Sequence, residues 1–475
     1  MAQRLLIAAI ILTLIAYARP PEYDEAYSLF LTAGHARPAW PTGIFHPAET
    51  RFFYTGHASL WRIAENLRRG DVHPPLYFWL LEAWRYLAGP GWFAARLLSV
   101  AISLGSLWLL AIIARGLDIP ILPAMALTLL NFAFAYTGIV ARGFALAQFF
   151  NLLGFALAMP ARKYRARHAL AAGLALGAAG FTNYLAIFPA LAMLGWHLIA
   201  TRNHRRNGLL VAAFLAWIPA DLWFFLAQRN SRAGQFTVFS LRHAITLLAR
   251  DGGAALYGGL PLYAGPFATI ATIALSLVMV MLACAIWHRA HPATALLGLC
   301  TAAMPAGLLA LGFIFNNTPI EIRYLAFAMP YLALLLAASL PGWLLALQFC
   351  LQAAAVIGLA LAPATAQPRS NAAAQALGQH LHNPLILVPY GNDGVGIPGP
   401  VIARLPDTAL VALIRPGHWP DLSASPTIIL LLIRADAASR ATVQAAIRRL
   451  QADPCDTIIG QTSLTLTISN RCAHQ

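Results

Sequence analysis

Three acids, Glu22, Asp24 and Glu25, fall within four residues just after an apolar run that ends at Ala18. Carboxylates beside a membrane are costly unless they are solvated or used. One held at the end of a membrane helix can take a proton from an attacking hydroxyl; a solvated loop is the other reading that charge leaves open. Further along, Asp71-Val-His73-Pro-Pro-Leu-Tyr77 sets a histidine before two prolines. Prolines open a helix rather than sit inside one, so His73 is expected at a helix head. Two arginines stand where later apolar runs begin, Arg142 in Val140-Ala-Arg-Gly-Phe144 and Arg323 in Glu321-Ile-Arg-Tyr-Leu325. Singly, each reads as an anchor snorkelling to lipid headgroups. On one side of a membrane with the acids, the two suit a phosphate or pyrophosphate.

The elements that must position these groups are membrane helices. The 475 residues are 59% hydrophobic and 10% charged, against about 25% charged in a soluble domain. Apolar runs long enough to cross a hydrocarbon core of ~30 Å recur to about residue 363. They are continuous rather than alternating, which argues against a barrel. The net charge of +15 does not point to nucleic acid. Its arginines and histidines cluster between apolar runs, at 161–168 and 202–206, as cytoplasmic loops do. With Lys163 the only lysine, phosphate handling falls to Arg or His.

Residues 1–18 read as an uncleaved first span, with a cleaved signal peptide as the alternative; either puts residue 20 onward outside. Placing both basic clusters inside splits 169–200 into two short spans with an outer turn at Asn183-Tyr184. Spans then follow at 97–114, 120–138 and 143–160, and Arg142 faces outward. Residues 74–90 have both ends outside, which predicts a helix lying in the interface, anchored by Trp79, Trp84, Arg85 and Tyr86. The aromatic segment 40–63 is expected on the membrane surface. Further spans at 208–227, 264–287, 293–314, 323–339 and 342–363 bring the count to about eleven, with the N-terminus inside and the C-terminus outside.

Residues 364–475 change character and predict a small α/β domain, set off from a membrane domain over 1–363 whose first outer loop is 19–96. The β-prone runs are 385–388, 427–433 and 463–468, with a helix near 437–452. Gly391-Asn-Asp-Gly-Val-Gly396 fits neither a P-loop nor a dinucleotide fingerprint and reads as a plain loop. Cys455 and Cys472 can pair if the segment is exported. Cys284, Cys300 and Cys350 read as core residues.

The Asp24-Glu25 pair after the first span, His73-Pro-Pro-Leu-Tyr77, and Arg323-Tyr324 at a later span start together resemble the GT-C glycosyltransferases. The protein O-mannosyltransferases and bacterial aminoarabinose transferases (family 39-like) are the similar groups, over residues 20–200 and 320–335. Asn183-Tyr184 resembles a Thr-His-Tyr element of that group with Asn in place of His. Val140-Ala-Arg142 lacks the acid of its Glu-Ala-Arg. The resemblance implies an all-α polytopic GT-C fold with a small periplasmic α/β domain, in a bacterial inner membrane. It implies a polyprenyl-phosphate sugar donor and transfer to a protein, lipid or glycan without a metal. Asp24 would be the base and Glu25 its support. His73, Tyr77, Arg142, Asn183, Tyr184, Arg323 and Tyr324 would bind the donor and its phosphate.

Two other function classes stay open. A flippase or transporter of lipid-linked sugars needs polar groups mid-span; Asp221, Asn131 and Gln148 are the candidates, without an inverted repeat in support. A membrane assembly protein would be indifferent to the loop acids.

Overall fold

The computed structural model describes residues 1–35, 37–159, 165–200, 203–229, 236–257, 259, 267, 270, 273–274, 277–278, 293–361, 368–379, 381, 383–415, 417–423 and 425–473. The chain divides into two compact units. The first contains Met1–Ala18, Leu67–Leu80 and Arg96–Leu361; the second contains Arg19–Asn66, Leu81–Ala95 and Ala362–Gln475.

The first unit is helical. Among the described residues, five helices are long and apolar enough to cross a bilayer: Trp92–Gly116, His204–Gln228, Thr294–Phe315, Ile322–Ser339 and Gly342–Leu361. Counting each of two bent helix pairs as one span raises the number to seven. Helices Phe144–Ala158 and Tyr184–Ala200 are apolar but shorter. The expected span 264–287 and its basic turn lie largely outside the described residues. Small residues let neighbouring helices approach closely. A Cβ on Gly154 would come within 2.5 Å of Leu176, and one on Gly173 within 2.2 Å of the Leu210 carbonyl.

The continuous span expected over 120–138 is broken. Helices Ile121–Leu129 and Phe132–Ile139 meet at 67°. Asn131 stands at the break, and its Oδ1 accepts from Ala133 N at 3.0 Å and Phe134 N at 3.3 Å. A side-chain acceptor there offers the backbone N–H groups an alternative to continuing the helix. The split of 169–200 is as expected, with helices Ala166–Gly180 and Ile187–Ala200 on either side of the Asn183-Tyr184 turn.

The second unit holds a six-stranded mixed sheet in the order β1-β3-β2-β4-β6-β5. The strands are β1 Ile44–Phe45, β2 Leu385–Pro389, β3 Leu410–Ile414, β4 Thr427–Leu431, β5 Asp456–Gln461 and β6 Thr465–Asn470. β2 is parallel to both β3 and β4, while β4, β6 and β5 are antiparallel to one another in turn. Every residue of β2 is buried, the pattern of a strand covered on both faces. Helix Ala437–Ala452 contributes Val443, Ala446 and Leu450 to the same core as Leu387, Ile428 and Ile468. Cys455 and Cys472 form a disulfide between the start of β5 and the end of β6.

Segment 19–66 folds into this unit. β1 pairs antiparallel with β3, Ile44 opposite Ala412. Trp40, Phe53 and Tyr54 are buried together with Phe30, their rings 4.7–5.8 Å apart. Aromatic faces packed this way form a protein core, so this part of segment 40–63 is not a membrane-surface patch.

Candidate functional site

Asp24 and Glu25 lie in the first turn of helix Tyr23–Thr32, in the second unit, and both are buried. Acids there oppose the positive end of the helix dipole. Glu25 Oε2 accepts from the backbone N–H of the N-cap residue Glu22 at 3.0 Å, completing a capping box. Its carboxylate thus has a local structural task. Arg19 pairs with Glu22.

The glycine loop at 391–396 is what grips this helix. Asp393 Oδ1 accepts from Val395 N and Gly396 N at 2.8 and 3.0 Å, and its Oδ2 accepts from the Tyr27 hydroxyl. Trp40 Nε1 donates to the Gly394 carbonyl at 2.5 Å. A Cβ on Gly399 would sit 2.7 Å from that of Ala26. Only a bare backbone allows that approach. The loop reading stands, and sequence alone did not reveal that its fixed partner is the helix bearing Asp24.

Arg85, expected as an interfacial anchor, is fully buried in the second unit. It donates to Thr32 Oγ1 at 2.7 Å and to the Tyr54 carbonyl at 2.6 Å, and pairs with Glu82 at 3.2 Å. Glu82 also meets His57 Nδ1 at 2.9 Å. A guanidinium so enclosed ties helix to loop instead of reaching for headgroups.

The remaining candidates belong to the first unit. His73 does precede helix Leu76–Ala88, as the prolines require. Beside it, Asp71 Oδ2 and Oδ1 lie 2.8 and 3.0 Å from Arg142 Nη2. His73 Nδ1 is 2.8 Å from Asp71 Oδ1 and 3.0 Å from Arg142 Nη2. All three side chains are buried. Nδ1 donates to Asp71 in one ring tautomer and accepts from Arg142 Nη2 in the other.

Several contacts fix the corner that carries Arg142. Tyr77 OH lies 3.1 Å from Ser99 Oγ, which donates to the Val140 carbonyl at 2.8 Å. Arg142 N bonds the same carbonyl at 2.7 Å. Tyr77 is therefore a brace for the 140–142 corner. Tyr184 OH donates to Gln228 Oε1 at 2.8 Å, and Gln228 Nε2 donates to the carbonyls of Leu67 and His73, both at 3.0 Å. That chain joins Tyr184 to the His73 loop. Asn183 caps the following 3-10 turn, accepting from Leu185 N at 3.1 Å.

Arg323 and Tyr324 lie in a 3-10 segment, Ile322–Ala328, that leads into helix Met329–Ser339. Arg323 Nε meets Glu321 Oε2 at 2.5 Å. Phe144 connects the two groups, with ring centroids 6.5 Å from His73 and 6.4 Å from Tyr324. Two acids escaped the sequence reading as site members, Asp71 and Asp251. Asp251 is buried in the second half of helix Leu241–Leu256, its Oδ1 2.7 Å from Arg250 Nε. Burial raises its pKa, opposed by Arg250, and the nearby Glu321 raises it further. Nothing in its sequence context distinguished it from a loop acid.

No protein-family model matches the sequence, and no curated protein matches it. Solved structures do. ArnT from Cupriavidus metallidurans in the apo state shares 14% identity with a TM-score of 0.50, over 99% of this chain and 97% of that one. The same protein bound to undecaprenyl phosphate gives a TM-score of 0.49 at equal identity and coverage. The arabinofuranosyltransferase AftD from Mycobacteria gives 0.41, this chain spanning 40% of it. The architecture described above is therefore the GT-C fold, the fold of the aminoarabinose transferase ArnT.

Proposed function

We propose that this chain is an integral-membrane glycosyltransferase that moves a sugar from a polyprenyl-phosphate donor to an acceptor on the outer face of the membrane. The acceptor's hydroxyl oxygen or amine nitrogen attacks the anomeric carbon. The bond from that carbon to the phosphate oxygen breaks, and the polyprenyl phosphate leaves with the electron pair. Asp24 takes the acceptor proton, with Glu25 holding the helix turn on which it stands. Arg142 and Arg323 stabilise the departing phosphate, with His73 and Tyr324 beside them, and Tyr77, Asn183 and Tyr184 keep the corner in place. This reading gives no metal a part, as the resemblance implies.

The observation that carries this reading is the Asp71–His73–Arg142 trio within a GT-C fold. A buried arginine pinned at Nη2 by Asp71 has few rotamers left to lose, so its donors are preorganised for an anion that appears in the transition state. The disulfide supports an oxidising compartment for the C-terminal segment.

The test is transfer of radiolabelled sugar from a panel of purified polyprenyl-phosphate sugars, using the full chain in lipid nanodiscs and its Asp24→Asn variant. Transfer by the wild type and its loss in the variant, with folding intact, is the expected result. Equal transfer by both removes Asp24 from its role. Translocation of the lipid across the bilayer without transfer would identify a flippase instead.

A further inference from the structure

One polar group of the membrane unit has no part in the mechanism above. Gln148 lies on helix Phe144–Ala158, 4% exposed, and neither its Oε1 nor its Nε2 meets a hydrogen-bond partner among the described residues. A buried primary amide with both functions unmet is expensive, and most buried side-chain polar atoms in folded proteins do have partners. The expense implies a partner that comes and goes.

Its surroundings narrow what that partner is. Phe144, one turn earlier on the same helix face, has its ring beside those of His73 and Tyr324. Asn151, on that face one turn later, donates to the Ala186 carbonyl at 3.1 Å while its Oδ1 is unmet. Asn183, capping the turn that contains Ala186, has an unmet Nδ2. Three neutral amides with an unmet donor or acceptor thus lie on the helix that begins at Phe144 or in the turn bonded to it. A prenyl chain could not satisfy them, and a phosphate is served better by the guanidiniums. Hydroxyl groups, each both donor and acceptor, match them.

We infer that Gln148, with Asn151 and Asn183 around it, forms a subsite for the hydroxyls of the donor sugar, making Gln148 a residue that sets sugar preference. The inference rests on the glycosyltransferase reading and deepens it.

Dissociation constants of bare undecaprenyl phosphate and of undecaprenyl-phospho-glucose, -mannose and -arabinose, measured on the full chain in nanodiscs, test it together with Gln148→Leu and Gln148→Asn. At least one sugar-bearing lipid should bind the wild type more tightly than the bare phosphate. Gln148→Leu should cut that sugar increment about tenfold, the loss of one or two neutral hydrogen bonds, and leave bare-phosphate affinity unchanged. Its unliganded melting temperature should hold or rise, because an unmet amide has been replaced by an apolar group of similar size. Gln148→Asn, with a shortened amide, should change the order of preference among the three sugars. An undiminished increment in both variants overturns the subsite, as does a fall in melting temperature of unliganded Gln148→Leu, which would make the amide structural. A wild type that prefers no sugar over bare phosphate overturns the glycosyltransferase reading itself.

Discussion

Asp71 holds Arg142 through both carboxylate oxygens, at 2.8 and 3.0 Å from Nη2, with side-chain exposures of 4% and 2%. The two are 71 residues apart in sequence. A pair this enclosed is worth more as orientation than as net stability, since desolvation offsets much of the attraction. Breaking it from one side is another matter. Asp71→Asn leaves a buried guanidinium without its counter-charge and should lower stability by about 3–5 kcal/mol. The double variant Asp71→Asn/Arg142→Gln should recover part of that loss, and thermal unfolding of all four proteins in one detergent gives the coupling energy.

The two adjacent acids on helix Tyr23–Thr32 should separate by function. Asp24→Asn should lower the transfer rate about 10²–10⁴-fold, the span of a general base, with the melting temperature kept. Glu25→Ala should instead lose the capping bond at a cost of about 1 kcal/mol, and Glu25→Gln, which can still cap, should restore it. Rates and melting curves on the same preparations distinguish the roles; a Glu25→Gln variant as inactive as Asp24→Asn would place the chemistry on Glu25.

Arg323 Nε is paired with Glu321 Oε2 at 2.5 Å. Arg323→Gln should slow transfer about 10²–10³-fold if it stabilises the leaving phosphate. Arg323→Lys should recover little, because a point charge does not reproduce the guanidinium fork. Single-turnover rates with saturating donor isolate the chemical step.

Asp251 gives a signed pH prediction. Its pKa is raised in the folded chain, chiefly by burial. The folded state therefore holds that proton more tightly than the unfolded state does. The contribution is most favourable below the ordinary carboxylate pKa and is lost as pH rises toward the folded value. Relative to the wild type, Asp251→Asn should accordingly gain stability as pH rises above the ordinary carboxylate range, because it removes the cost of ionising a buried acid. Melting temperatures across pH 4–8 for both proteins check this.

The Cys455–Cys472 bridge closes a loop of sequence separation 17. Replacing both with Ser should cost the second unit about 3 kcal/mol. Intact mass after alkylation without reduction should show both thiols protected in the wild type.

Sequence was informative wherever a local rule governs. The proline pair placed His73 at a helix head because prolines lack the N–H a helix interior needs. The basic clusters split 169–200 correctly because two short spans must turn between them. The β-prone runs of β2, β4 and β6 were legible from their apolar residues. Other elements were hidden for physical reasons. β1 is two residues long and exists only through its pairing with β3. Arg85 and the aromatic segment looked interfacial, since amphipathic residues suit a membrane boundary as well as a buried knot.

Residue types and order were enough to determine a multi-span membrane chain and the chemistry of its groups, carboxylates near a helix start and arginines at span starts. Hydropathy and side-chain functionality are properties of the residues themselves. Tertiary structure alone decided that Asp71 would be Arg142's counter-ion, that Glu25 would serve as a cap, and that the 391–396 loop would clamp Tyr27. Each depends on which distant backbone the chain brings within 3 Å, and hydrogen bonds and buried ion pairs have no reach beyond that distance.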